Sequence, residues 1–406
     1  MPSNPQVTAS SQVLRRRKFG LDAGALIAAC SDESADAGIT IMSVLEPLGG
    51  PGSPVKPACY EGGQFQADRR WWGCGADRRQ VQVLVIDNEP SQANRLEVAL
   101  EWRRAELGLP EIVLDLHSAG TLPPHLPGQI SSFRFPHRNA DAYLRDAMLN
   151  GTKFLNTLVG AAIFGATADQ PEALLQWFPQ ALLFGFWQSH LGKKGSQAKL
   201  ARAWTSEIIG VEPAATTVRR LGLKGDPLNL SVPDEKLEFN PDAPDDWQFA
   251  GPGKRPKLAD VGHGQVPVGG EDAALAAVSF REVVQQATVS FAALRRIRPG
   301  TGAAEARALL VGLGLVAHVA AFGRSFSLRS GAELRPAGAT WTWLGETGQQ
   351  RIEPMSLEAA IGVFRECAAR AEQAGLPVAS RWSASPLTLT PAVNLAAAIG
   401  KTWPGK

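Results

Sequence analysis

Four side chains in this sequence have the types needed to gather round a divalent cation. Asp87 and Glu89 lie at and just beyond the end of a β-rich apolar run, QVLVID (82–87), and Asp115 and His117 lie at and just beyond the end of another, EIVLDL (111–116). Hard cations favour oxygen ligands, so two adjacent strands ending this way would support metal-assisted phosphodiester cleavage. Helix capping and loop hydrogen bonds account for the same residues without any metal. His125, His137, His190, His263 and His318 share no spacing, and Cys30, Cys59, Cys74 and Cys367 form no Cys-x-x-Cys pair. The cysteines are expected to be reduced thiols in a cytoplasmic protein. No metal, no cofactor and no catalytic set is expected, and the chain is read as a non-enzyme.

A second chemistry, phosphate binding, is suggested by basic residues that recur in clusters. These are Arg15, Arg16, Arg17 and Lys18; Arg69, Arg70, Arg78 and Arg79 around Trp71 and Trp72; Lys193, Lys194, Lys199 and Arg202, followed by Trp204; Arg219, Arg220 and Lys224; Lys254, Arg255 and Lys257; and Arg295, Arg296 and Arg298. Cationic side chains release counterions from a phosphate backbone, and tryptophan rings stack on unpaired bases. Any one cluster reads as a solvated face. Six of them, with Asp234, Glu235, Glu238, Asp242, Asp245 and Asp246 grouped elsewhere, favour RNA.

The elements that would position these groups follow from periodicity. After the strand 82–87, Pro90 opens a helix with Ala93, Leu96, Leu100 and Leu107 on one face. Its exposed N–H groups, with Ser91, Gln92, Asn94 and Arg95 beside them, would suit a phosphate. GTLPPHLPG (120–128) is a loop, and a second helix is expected over 138–149, with Ala140, Leu144, Ala147 and Met148 inward and His137 and Arg138 at its start. QALLFGFWQ (180–188) and RAWTSEIIGV (202–211) read as strands joined by a basic loop. Residues 225–272 are rich in Pro, Gly and acids and mark an insertion or arm. Regular structure resumes at Val283, with a helix over 302–320, strands near 324–329 and 340–344, and a helix over 356–374.

The chain has 406 residues, 44% hydrophobic and 20% charged, with a net charge of +2. That balance excludes wholesale disorder and allows a sizeable core. Forty-one glycines and 29 prolines require many loops. No apolar run of signal-peptide length follows the basic N-terminus, and Ala308–Gly323 is read as a buried helix rather than a membrane span. Strands and helices mix without strict alternation, which indicates an α+β fold.

Several longer segments, taken in order, carry a more specific signal: LEPLGGPGSPVKPACY (45–60), DNEPSQANRLE (87–97), FPHRNADAYLRDAMLNG (135–151), FPQALLFGFWQSH (178–190), ARAWTSEIIGVEP (201–213), VGHGQVPV (261–268) and SFAALRRIRPG (290–300). Together they resemble the backbone subunit of type I-G (formerly I-U) CRISPR Cascade complexes, a branch of the RAMP superfamily. The resemblance implies an RRM-like (ferredoxin-like) palm with helical finger insertions and a protruding thumb. The palm's first part with its finger insertions is expected over 1–230, a Pro/Gly/acidic insertion as the candidate thumb over 231–279, and the palm completion with C-terminal helices over 280–406. It also implies copies stacked head to tail along CRISPR RNA, which is held for pairing with target DNA, beside a large subunit and a handle-processing subunit and with no membrane partner. The expected RNA-contacting residues are Arg15, Arg16, Arg17, Lys18, Gln92, Asn94, Arg95, His137, Arg138, Lys193, Lys194, Lys199, Arg202, Trp204, His263 and Gln265. His263 and Gln265 lie in VGHGQVPV, read as a mobile arm tip.

Overall fold

Strand β1 (Gly38–Pro47) alternates Ile39, Ile41 and Leu45, all buried, with Thr40, Met42 and Val44, so it has one face for a core and one for something else. In this computed structural model the described residues are 20–60, 64–120, 122–188, 198–214, 277–382 and 384–402, with shorter pieces between 223 and 267.

The core face of β1 belongs to an eight-stranded sheet. Its other strands are β2 (Ala67–Trp72), β3 (Arg79–Asp87), β4 (Trp204–Pro213), β5 (Phe280–Ser290), β6 (Phe326–Ser327), β7 (Glu333–Gly345) and β8 (Gly348–Ile352). The spatial order is β6-β7-β1-β5-β4-β3-β2, with β8 also on β7 and every pairing antiparallel. Two long helices interrupt the strands: α1 (Glu89–Trp102) and α2 (Ala303–Phe322). In chain order β1-α1-β4-β5-α2-β7, laid out as β7-β1-β5-β4, this is a ferredoxin-like unit. The hairpin β2-β3 extends it beyond β4. The α+β class and this core agree with the sequence reading.

Helix α2 is the centre of the core: residues 306–318 are all buried. It is long and apolar enough to cross a membrane, but most of it lies inside the fold. Gly314 lets it sit against β4, since a Cβ there would come 2.5 Å from the Trp204 ring. Helix α3 (Leu357–Gln373) packs on α2 through Ala360, Ile361, Phe364, Cys367 and Ala371, so this C-terminal part of the chain completes the same core. A second, five-stranded sheet joins Ile112–Asp115 in parallel to Leu387–Pro391, with Gln129–Ser131, Ala147–Leu149 and Thr152–Lys153 antiparallel around them. All four cysteines are free, and burial pushes the Cys30 and Cys367 thiols up to about 12.

Two sequence expectations are corrected. Residues 138–149 form a single 3-10 turn, a one-turn helix (Ala142–Arg145) and a strand rather than one helix. Asp141 is extended there and its carboxylate accepts from the His137 and Tyr143 backbone N–H groups, while Arg138 sits at φ +53°. Residues 180–188 are mostly a helix, Pro179–Phe184, with only Phe186–Trp187 in strand. A continuous apolar run does not distinguish the two states. Pro179 in the first turn starts the helix and Gly185, at φ +79°, ends it.

Candidate nucleic-acid interface

The end of β3 places Asp87 at the start of α1, fully buried. Its carboxylate accepts hydrogen bonds from Ser91 Oγ (2.8 Å), Gln92 Nε2 (2.5 Å), Arg95 Nε (2.9 Å) and Arg329 Nη2 (3.0 Å). One negative charge against two guanidiniums leaves this cluster net positive. Asn88 caps the helix by accepting from the Ser91 N–H at 3.1 Å. Gln92 continues the network inward, accepting from Ser206 Oγ and Gln285 Nε2, both at 2.8 Å. Gln92 is therefore a core residue and does not face RNA. On the outer side of the same helix Asn94 is exposed and Arg95 half-buried.

Arg138 is also corrected from an RNA contact to a structural residue. It is buried, bonded through Nε and Nη2 to both Glu97 carboxylate oxygens (2.7 and 2.8 Å), and donates Nη1 to the Gly185 carbonyl at 3.1 Å. Trp204 is corrected in the same way: its ring is buried under α2, 5.8 Å from the His318 ring. His137 is exposed, and His263 is exposed beside the Trp247 ring at 5.7 Å. Arg15, Arg16, Arg17, Lys18, Lys193, Lys194 and Gln265 lie outside the described residues.

Much of the remaining basic character is locked in ion pairs, contrary to the expected segregation of acids. Arg70 bonds Glu207 and Asp68; Arg79 and Arg281 share Glu212, whose carboxyl they hold down at about 2. Arg295 donates to the carbonyls of Ala29 and Asp36. Such pairs spend charge on shape rather than on a ligand.

Lys199 and Arg202 behave differently. Phe186–Trp187 pairs with Lys199–Leu200, and Lys199 Nζ lies 5.5 Å from the exposed Trp187 ring. Arg202 reaches Glu89 at the start of α1 only at 3.7 Å, and its Nε has no partner. The structure thus brings Lys199 onto the Trp187 ring and Arg202 beside the start of α1, with Gly185, next to the Phe186–Trp187 strand, tied through Arg138 to Glu97 in the middle of that helix. A similar cation-ring pair, Arg78 over Trp71 at 5.5 Å, stands beside the outer edge strand β2. Sequence reasoning did not single out Trp187. The pairing Trp187↔Lys199 joins strand positions twelve apart in sequence and has no local signature.

The sheet face away from the helices carries Thr342, Thr40, Thr288 and Thr205 in one cross-strand row and Thr340, Met42, Gln286 and Glu207 in the next. Those two rows offer no ring for base stacking. The aromatic residues of the run 180–188 lie outside this sheet, with Phe184 buried in a helix and Phe186 paired with Leu200. Asp115 sits in the other sheet from Asp87, where the His117 N–H and ring nitrogen hold its carboxyl below the usual range. Among the described residues no three His, Cys, Asp or Glu side chains gather as a metal set.

No curated protein matches the chain. Residues 39–214, which run from β1 to the end of β4 and include α1 and the Trp187–Lys199 pairing, match the family model of CRISPR-associated protein GSU0053, consistent with the resemblance to a CRISPR backbone subunit read from the sequence.

Proposed function

We propose that this protein is a non-catalytic backbone subunit of a type I-G CRISPR surveillance complex, whose copies bind along CRISPR RNA and present it for pairing with target DNA. The observation that carries the reading is a cationic and aromatic group, Lys199 over the exposed Trp187 ring with Arg202 nearby in sequence and close to Glu89 of α1, inside the segment that matches the CRISPR-associated family model. Cations there neutralise phosphates without reading sequence, which base pairing supplies in RNA-guided complexes. Head-to-tail copies make a heterologous interface that does not close, so the RNA would set the length of the assembly. The large and handle-processing subunits would bind at its ends or sides in the cytoplasm.

The nuclease reading through Asp87 and Asp115 is less well supported. Both Asp87 oxygens are engaged by Ser91, Gln92, Arg95 and Arg329, and Asp115 belongs to a different sheet. Competition between single-stranded RNA and duplex DNA tests the proposal. Preferred binding of RNA, with affinity falling steeply as salt rises, is expected; preference for duplex DNA would instead assign a DNA-binding scaffold.

A further inference from the structure

A groove of about 550 Å³ runs between the outer side of α1 and the segment that follows α2. On α1 its wall is the stripe Ser91, Asn94, Arg95, Val98, Ala99 and Trp102, residues spaced three and four apart that share one helix face. The opposite wall is Ala320 to Phe322 and Arg324 to Leu328. No carboxylate lines either wall. Arg95 gives its Nε to Asp87 and its Nη2 to Asp87 and the Leu328 carbonyl, which leaves Nη1 for a ligand. Arg324 is exposed, and the Trp102 ring is 72% exposed although it closes one end of the groove.

Two guanidiniums, the Ser325 hydroxyl, an apolar floor and an open indole ring together fit an anion that carries a flat ring. We propose that this groove holds a short run of single-stranded nucleic acid, with one unpaired base stacked on Trp102 and the adjoining phosphates against Arg95 and Arg324. From Ser91 to Trp102 the helix rises ~16 Å, room for more than a lone base. The Arg95 and Arg324 guanidiniums mark where phosphate belongs, and the open Trp102 indole where the base stacks. This assignment rests on the RNA-binding reading and adds to it a specific place and a base contact. A protein segment is the competing occupant, and the test separates the two.

Photocrosslinking of 4-thiouridine-substituted single-stranded RNA to the full chain, followed by trypsin and mass spectrometry, reads the contact directly. Cleavage after Arg95 and Arg103 isolates Trp102 in the peptide Leu96–Arg103. The expected result is a crosslink within that peptide, about tenfold weaker RNA binding for Trp102→Leu with most affinity kept by Trp102→Phe, and a salt slope reduced by about one for Arg324→Ala. Trp102 is too exposed for these changes to threaten folding. RNA binding that survives Trp102→Leu, with no crosslink in the peptide, overturns the groove assignment and leaves the RNA-binding reading intact. Failure of the unsubstituted chain to bind RNA removes both. Protection of Trp102 from oxidation by another protein of the complex but not by RNA would give the groove to a protein partner and overturn the assignment.

Discussion

Arg138 and Glu97 form a buried two-point ion pair, Nε to Oε1 at 2.7 Å and Nη2 to Oε2 at 2.8 Å, that ties the turn before residue 142 to the middle of α1. Removing either partner strands a charge in the interior, which costs ~3–5 kcal/mol. Arg138→Ala and Glu97→Ala should each lower the unfolding free energy from urea titrations by that order. At temperatures where both variants stay folded, the salt slope of RNA binding should not change, since Arg138 has no charge to spare for phosphate.

Asp87→Ala should act on stability as well. It deprives Ser91, Gln92, Arg95 and Arg329 of their common acceptor, and both arginines are left facing each other. A loss of ~3 kcal/mol or more in chemical denaturation, equal with and without Mg²⁺, is expected. A variant of unchanged stability would contradict the hub.

His318 is enclosed by Trp204, Phe322 and Trp341, and burial depresses its pKa from 6.5 to about 4. The unfolded chain therefore binds a proton that the folded one refuses between these values. The stability from this group is complete above pH 6.5 and is lost as pH falls toward 4, about 3 kcal/mol over the window. Denaturant titrations at pH 7 and pH 5 should show the fall, and His318→Phe should flatten its contribution.

Lys199→Ala should reduce the salt slope of RNA binding by about one, and Lys199→Arg should restore it. Trp187→Ala should weaken binding by ~1–3 kcal/mol through lost stacking. Neither should move the unfolding free energy by more than ~0.5 kcal/mol, as both side chains are exposed.

Gly185→Ala should damage the same hairpin from below. The residue sits at φ +79°, and a Cβ would lie 2.8 Å from the Leu200 carbonyl oxygen. A loss of ~1–3 kcal/mol in denaturant titrations is expected together with weaker RNA binding.

The parts of the fold that sequence made legible were those with long, clean periods. The strand ending at Asp87, the helix opened by Pro90, the helix around His318 and the helix around Phe364 all stand where they were read. The misread parts were decided by single residues and distant partners. Gly185 and Pro179 turned an apolar run into a helix, and Asp141 broke the next expected helix by capping it. Site residues were harder for the same reason. Gln92, Arg138 and Trp204 have the types that bind RNA, yet Gln285, Glu97 and α2 claim them from far along the chain. Lys199, Arg202 and Arg95 keep some capacity, and Trp102 and Trp187 became visible only once helix stripes and strand partners were known.

Sequencing the RNA that co-purifies with the intact protein tests the central claim most directly. A uniform repeat-spacer species, retained at low salt and released at high salt, is the predicted result. Protein that carries no nucleic acid and does not take up CRISPR RNA at low salt would contradict it.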